Sequence, residues 1–456
     1  MFPEPQREVG VHRAMRSTAI VIALVGCSPP PATAPVARPQ VAAAAAPELL
    51  PTPAYLTSGR IVATDSGAII IDADSGTLVK TDRDGAPLAR LAIGRDAGML
   101  AHDPSRSIVY VADRAGDRVL VVGVAELRVV RIWKTPAEPF GIALSPDRAT
   151  VLVTTVADRT LVAYDATAGI EKWRARLSAE PRAIAVSPDG TRALITLNAG
   201  SLDEVALEGA HPVTPIVLDL ACDECATGPA FARGSSVVFL DQHRAIASFQ
   251  RAVPEALELI HSTVYGGGTL PPVTQHLSFL SFTPTRGQTV AQIVANQPRS
   301  ILWDRGRDTL HVAGLASDTM LRLAGLTRGS TDEVDEAAAA FALRVGERCG
   351  PDGLAQAPDG SMLVWCSFSR RVLRVPAKQD SLHESSMLVA SALSTEQHAG
   401  YVLFHGVNPR INRDGALACS TCHTDGRADG LSWKIQAQTR QTPSLAGRII
   451  GTHPYK

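Results

Sequence analysis

The chain has 456 residues, with 44 lysines and arginines against 45 aspartates and glutamates and a formal net charge of −1. That length allows two or three domains, or one large repeat domain with a smaller appendage. Near-neutrality, with no basic stripe to track a phosphate backbone, argues against nucleic acid as a partner; charge alone also cannot hold the chain to an acidic membrane.

At the N-terminus, Arg13 and Arg16 precede the apolar run from Ala19 to Val25. This run is far shorter than the roughly 20 residues a spanning helix needs, so it reads as the core of an export signal. It ends in Leu24-Val25-Gly26-Cys27, which resembles the lipobox of bacterial lipoproteins. The resemblance implies acylation of Cys27 and a mature protein on the periplasmic side of the cell envelope, anchored to the lipid membrane. The competing reading is an ordinary cleaved signal with an incidental cysteine, and Met15 is an alternative start. Residues 28–53 are rich in Pro and Ala and lack periodicity, which suits an extended tether. The expected organisation is a lipoprotein signal over 1–26 and a tether over 27–55.

From residue 56 to about 392, short β-rich runs alternate with Gly, Asp and Pro turns. The runs LAHDPSRSIVYVAD, IALSPDRATVLVTT and IAVSPDGTRALITL align, placing Pro104, Pro146 and Pro188 at intervals of 42. LAQAPDGSMLVWCS repeats the pattern, with Pro358 lying 170 residues beyond Pro188, close to four periods. A unit of this length making four strands is the signature of a propeller blade. Starts at 56, 97, 139, 181, 228, 298 and 350 predict an all-β, seven-bladed propeller, with degenerate fifth and sixth blades and an insertion near 262–297. The SPDG phrase with its flanking strands resembles YVTN-type bacterial β-propellers, which implies a fold and no particular chemistry.

Four cysteines fall between the ends. Cys349 and Cys366 belong to one blade and read either as a disulfide or as two buried thiols. Cys222 and Cys225 form a CDEC pair followed by Ala226, so this pair lacks the histidine of a haem site; it reads as a local disulfide, with a zinc half-site or redox pair as alternatives.

Chemistry concentrates in Cys419-Ser420-Thr421-Cys422-His423, the CxxCH pattern of c-type haem attachment. Two thiols three residues apart lie on one side of a helical turn, where they can add to the porphyrin vinyl groups, and the adjacent histidine supplies the proximal iron ligand. The competing readings are a disulfide that happens to precede histidine and part of a zinc site, though zinc would need a second ligand pair.

The surrounding text, LFHGVNPRINRDGALACSTCHTDGRADGLSW followed by RQTPSLAGRIIGTHPYK, resembles the haem-bearing segment of the bacterial di-haem cytochrome c peroxidase family. The matches are Asp425-Gly426-Arg427, Asp429-Gly430-Leu431 with Trp433, and Arg440 with Thr442, Pro443 and Leu445. The resemblance implies a cytochrome c-like segment over 393–456, with Arg427 and Arg440 as candidates for the haem propionates and Trp433 for ring packing. His453 is the leading candidate for the distal iron position, ahead of Met387, His398 and His405. The chain departs from the family in holding a single CxxCH and in running only 33 residues past His423, so a partial module is expected. The expected activity is single-electron transfer through one covalent haem c to a periplasmic redox partner, with the propeller as scaffold. Peroxidase-like oxidoreduction is the alternative, and a propeller binding module without haem is a third reading.

Overall fold

Each repeat unit folds into four consecutive antiparallel strands, because its β-branched runs are separated by turns tight enough to make hairpins. The third unit is representative: Pro139–Leu144, Thr150–Thr155, Thr160–Asp165 and Glu171–Arg176 form one meander. The structure is a computed structural model that describes residues 52–218, 231–253, 272–283, 286–326, 341–345, 348–376, 383–385, 388–408, 417–435 and 438–445. Seven such sheets, over residues 61–92, 100–134, 139–176, 181–217, 231–293, 298–344 and 351–384, make a seven-bladed β-propeller. Cys27, Cys222, Cys225, Met387 and His453 lie outside the described residues.

The repeated turn has a common chemistry. Carboxylates of Asp147, Asp189 and Asp359 accept the backbone N–H two residues on, from Ala149, Thr191 and Ser361, at 3.0–3.1 Å. The residue after each aspartate is left-handed in two of these turns through Gly190 (φ 72°) and Gly360 (φ 79°), and in the third through Arg148 (φ 59°).

Burial falls outward along each blade. Pro139–Leu144 and Pro181–Val186 are buried at every position, whereas Glu171–Arg176 is largely exposed. The apolar residues between neighbouring sheets therefore form a ring of cores around the central channel. The propeller's first residues, Leu56 to Gly59, enter that ring, and the last residues of the expected tether pack there too, Thr52 donating to the Leu240 carbonyl and Tyr55 to that of Pro146. Thr57 bridges Ala185, Gly59 bridges Leu100, and Leu56 is fully buried.

The fifth blade corrects the expected insertion. Val273–Ser281 and Gly287–Ile293, which fall within the expected insertion, are its third and fourth strands, and its first three strands are nine residues long; residues 254–271, between the second and third strands, lie outside the described residues. In the seventh blade, Cys349 and Cys366 form a disulfide with Cα atoms 4.5 Å apart.

Each blade is one continuous stretch of chain, so the ring closes by side chains between the last blade and the first. Arg370 is 2% exposed; its guanidinium pairs with Asp74 at 2.5 Å and with Asp72, and its Nε donates to the Val389 carbonyl at 2.8 Å. Removing one partner of a buried pair costs about 3–5 kcal/mol because the others stay buried and uncompensated. Arg370→Ala is accordingly expected to lower the unfolding free energy by about that amount, read as a reduced midpoint in urea.

Candidate functional site

Past the seventh blade the chain forms helix α1 (Thr395–His405), which starts where Ser394 and Gln397 make a reciprocal capping box. The helix lies over blades six and seven. Tyr401 meets Phe368 edge to face at 5.7 Å, and the Val407 N–H donates to the Ala316 carbonyl at 2.9 Å. His398 and His405 both stand beside the Tyr401 ring, with centroids 6.3 and 4.6 Å away.

Helix α2 (Cys419–Cys422) carries the CxxCH sequence, with His423 as its C-cap. Its two inner residues are committed to the propeller. Ser420 and Thr421 are buried, the Ser420 hydroxyl accepts from Gln297 Nε2 at 2.7 Å, and the Thr421 carbonyl accepts from Arg233 at 2.8 Å. The flanking cysteines are not used this way. Cys419 is exposed, Cys422 is half-buried, and both are free thiols. A four-residue turn thus presents Ser and Thr to one partner and leaves both sulfurs available to another.

The environment of Cys422 constrains its chemistry. It packs against a cluster of Ala252, Val273, Leu431 and Trp433. Burial, with the nearby Asp429 charge, pushes its thiol up to about 11. A thiolate, whether as metal ligand or redox nucleophile, is disfavoured there, while a neutral thioether is not. Nδ1 of His423 is buried with no hydrogen-bond partner among the described residues, and among those residues no group of three or more His, Cys, Asp or Glu could hold a metal ion. Two free thiols on one turn and an adjacent unpartnered imidazole fit a c-type haem better than a zinc cluster.

After α2 the chain turns sharply, with Asp425 in the left-handed region at φ 53°. That turn drives its carboxylate toward the mouth of the central channel. Asp425 pairs with Arg182 at 2.6 Å and Arg114 at 3.5 Å. Although burial alone would raise it, Arg182, Arg299 and Arg114 together hold this carboxyl far below the usual range. Arg427 pairs at 2.5 Å with Glu138, which directly precedes the third blade. The Trp433 indole donates to Asp429 at 2.9 Å and to Thr442 at 3.0 Å. Arg440 is exposed, on the hairpin of Ser432–Ile435 with Gln438–Gln441, and donates to Gln438. The structure therefore brings Cys422 and Trp433 into one cluster, spends Arg427 on the propeller and leaves Arg440 at the surface.

The propeller's half of this interface, Arg114, Glu138, Arg182, Arg233 and Gln297, is absent from the sequence reading. A signal existed in the repeat itself. Arg182, Arg299 and Asp352 follow Pro181, Pro298 and Pro351 at the second position of the innermost strands of the fourth, sixth and seventh blades.

His405 borders a cavity of about 380 Å³ together with Arg299, Tyr401, Asp425 and Arg427. Burial, assisted by Arg299, holds its imidazole down at about 3, and burial likewise holds His276 and His311 at about 4. All three sit below the ordinary histidine value of about 6.5, so as pH falls below that value the unfolded chain binds protons the folded chain refuses. Each should remove about 1.4 kcal/mol of stability per pH unit between about pH 6.5 and 4. His405→Phe is expected to flatten that acid limb by about one proton's slope, measured by urea unfolding at pH 6.5 and 4.5.

No family model matches the chain, and no curated protein matches it. Among solved structures, hydrazine synthase of Kuenenia stuttgartiensis is similar at a TM-score of 0.52 and 15% identity, covering 78% of this chain and 99% of that one. A functionally unknown protein of Desulfotomaculum acetoxidans is similar at 0.50 and 12% identity, covering 71% of this chain and 95% of that one. At such identities the likeness is one of fold, and it sets this chain among the seven-bladed β-propellers.

Proposed function

We propose that the chain is an exported, lipid-anchored c-type cytochrome of the bacterial envelope. In this reading Cys419 and Cys422 hold one haem c as thioethers, His423 is the proximal ligand, and Cys27 carries the lipid. The single observation that carries it is the division of labour on α2: Ser420 and Thr421 are fixed to the propeller while the two free thiols and the imidazole are left for another group. The desolvated thiol of Cys422 supports it further, since a thioether carries no charge into that cluster.

The haem supplies one-electron chemistry when bound. The chain's own residues do the positioning. Arg233 and Gln297 fix the turn that bears the sulfurs, Asp425 anchors it from the channel side, and Leu431 with Trp433 shields Cys422 from water. A rigid seat of this kind keeps a redox group at a constant presentation to a partner protein, and the propeller acts as the platform. Haem staining of a denaturing gel tests the reading, because only covalent haem survives denaturation. A stained band from a host that matures c-type cytochromes is expected; an unstained one leaves a propeller binding module.

A further inference from the structure

The channel mouth carries more positive charge than the C-terminal segment neutralises. Arg60 directly precedes the first blade's innermost strand, Arg182 and Arg299 are the second residues of theirs and Arg233 is the third of its own, and all four line one small cavity whose carboxylates are Asp352 and Asp425. Arg182 and Arg233 are 6% and 9% exposed. Within this wall Arg182 Nη2, Arg233 Nε and Gln250 Nε2 are buried donors without an acceptor among the described residues. A guanidinium cannot shed its proton to relieve that deficit, and a buried donor left unpaired is costly. What the cavity lacks is acceptor oxygen carrying negative charge.

The space sets the size of the missing group. The cavity measures about 40 Å³, room for about three waters when one occupies roughly 10–15 Å³. A species of four or five heavy atoms fits, whereas an organic acid with a substantial carbon skeleton does not. Ser420, Thr424 and Asp425 close the cavity from the C-terminal side, so its occupant is shared between the propeller and the segment bearing the cysteines.

We propose that the arginine-lined channel mouth is a binding site for a small inorganic oxyanion of the phosphate, sulfate or nitrate class. The anion pairs with Arg182, Arg233 and Arg299, beside the Asp425 carboxylate that already fills part of the same charge deficit. The site does not depend on the haem reading, since no cysteine or His423 lines it.

The test is calorimetric titration of the full chain with sodium phosphate and, separately, sodium nitrate, at constant ionic strength held with chloride. Saturable one-to-one binding of at least one of the two is expected. Arg299→Gln should weaken it about tenfold, the effect of losing one charge-assisted hydrogen bond. Arg182→Gln should weaken it at least as much; if that variant does not fold, Arg299→Gln carries the test alone. Absence of saturable heat with both anions in the wild type, or binding that Arg299→Gln leaves unchanged, overturns the proposal and leaves the cavity to ordered water.

Discussion

Alanine at both Cys419 and Cys422 is expected to give a colourless protein without a haem-stained band, from the same host and preparation in which the unaltered chain stains. Neither thiol contributes much to folding. Cys419 is exposed, and Cys422 is a partly buried member of a cluster whose bulk comes from Leu431 and Trp433. Substitutions away from cores and networks shift stability by about 0.5 kcal/mol or less, so the double variant should keep the propeller's melting transition nearly unchanged. Loss of haem with retention of fold separates a defect in attachment from a defect in the protein. Single variants sharpen the result, because one remaining thiol can form one remaining thioether and should leave a weaker stain.

Asp425→Ala should have the largest effect on how the C-terminal segment is held. Its carboxylate is the acid that meets Arg182, and it shares Arg114 with Asp96 and Glu138; the two arginines are 7% and 3% exposed at the side chain and cannot recover their hydration by rotating outward. Removing it leaves the buried Arg182 guanidinium without its carboxylate, a change worth about 3–5 kcal/mol, or at least a hundredfold in the ratio of docked to undocked segment. The hydrogen bonds from Arg233 to Thr421 and Thr424 and from Gln297 to Ser420 remain, so the segment should loosen without the propeller unfolding. Amide hydrogen exchange over residues 419–426 is expected to accelerate about a hundredfold or more, with the blades unaffected. Equal exchange in the variant and the unaltered chain would show that the arginines do not depend on this carboxylate.

Much of the architecture was legible from one repeated turn. Pro104, Pro146, Pro188 and Pro358 each mark the hairpin between the first and second strands of a blade, and the aspartates that follow three of them make the same backbone contact each time. Periodicity of this kind survives in sequence because every blade solves the same local problem. The fifth blade was harder to read, since its strands are nine residues long and lack the marked turn. Thr52 to Tyr55 read as the end of the tether because proline-rich text does not announce contacts to Leu240 and Pro146, far along the chain.

The candidate site divides in the same way. Cys419, Cys422 and His423 were visible because attachment chemistry fixes their spacing within one turn. Their seat was not, because Thr421 and Ser420 meet Arg233 and Gln297 across 188 and 123 residues of sequence, where no short-range rule operates. Resemblance suggested Arg427 as a propionate partner; its contact with Glu138, 289 residues away, was not visible in the sequence. Trp433 likewise spends its indole N–H on Asp429 and Thr442 while its ring covers Cys422 and the edge of the fifth blade.

The intact mass of the denatured chain, produced where c-type cytochromes mature, tests the central claim most directly. The account predicts an increment of one haem on the peptide that spans Cys419 to His423, with both of its thiols refractory to alkylation. An unmodified mass there, with Cys419 and Cys422 both taking up the alkylating reagent, would contradict it.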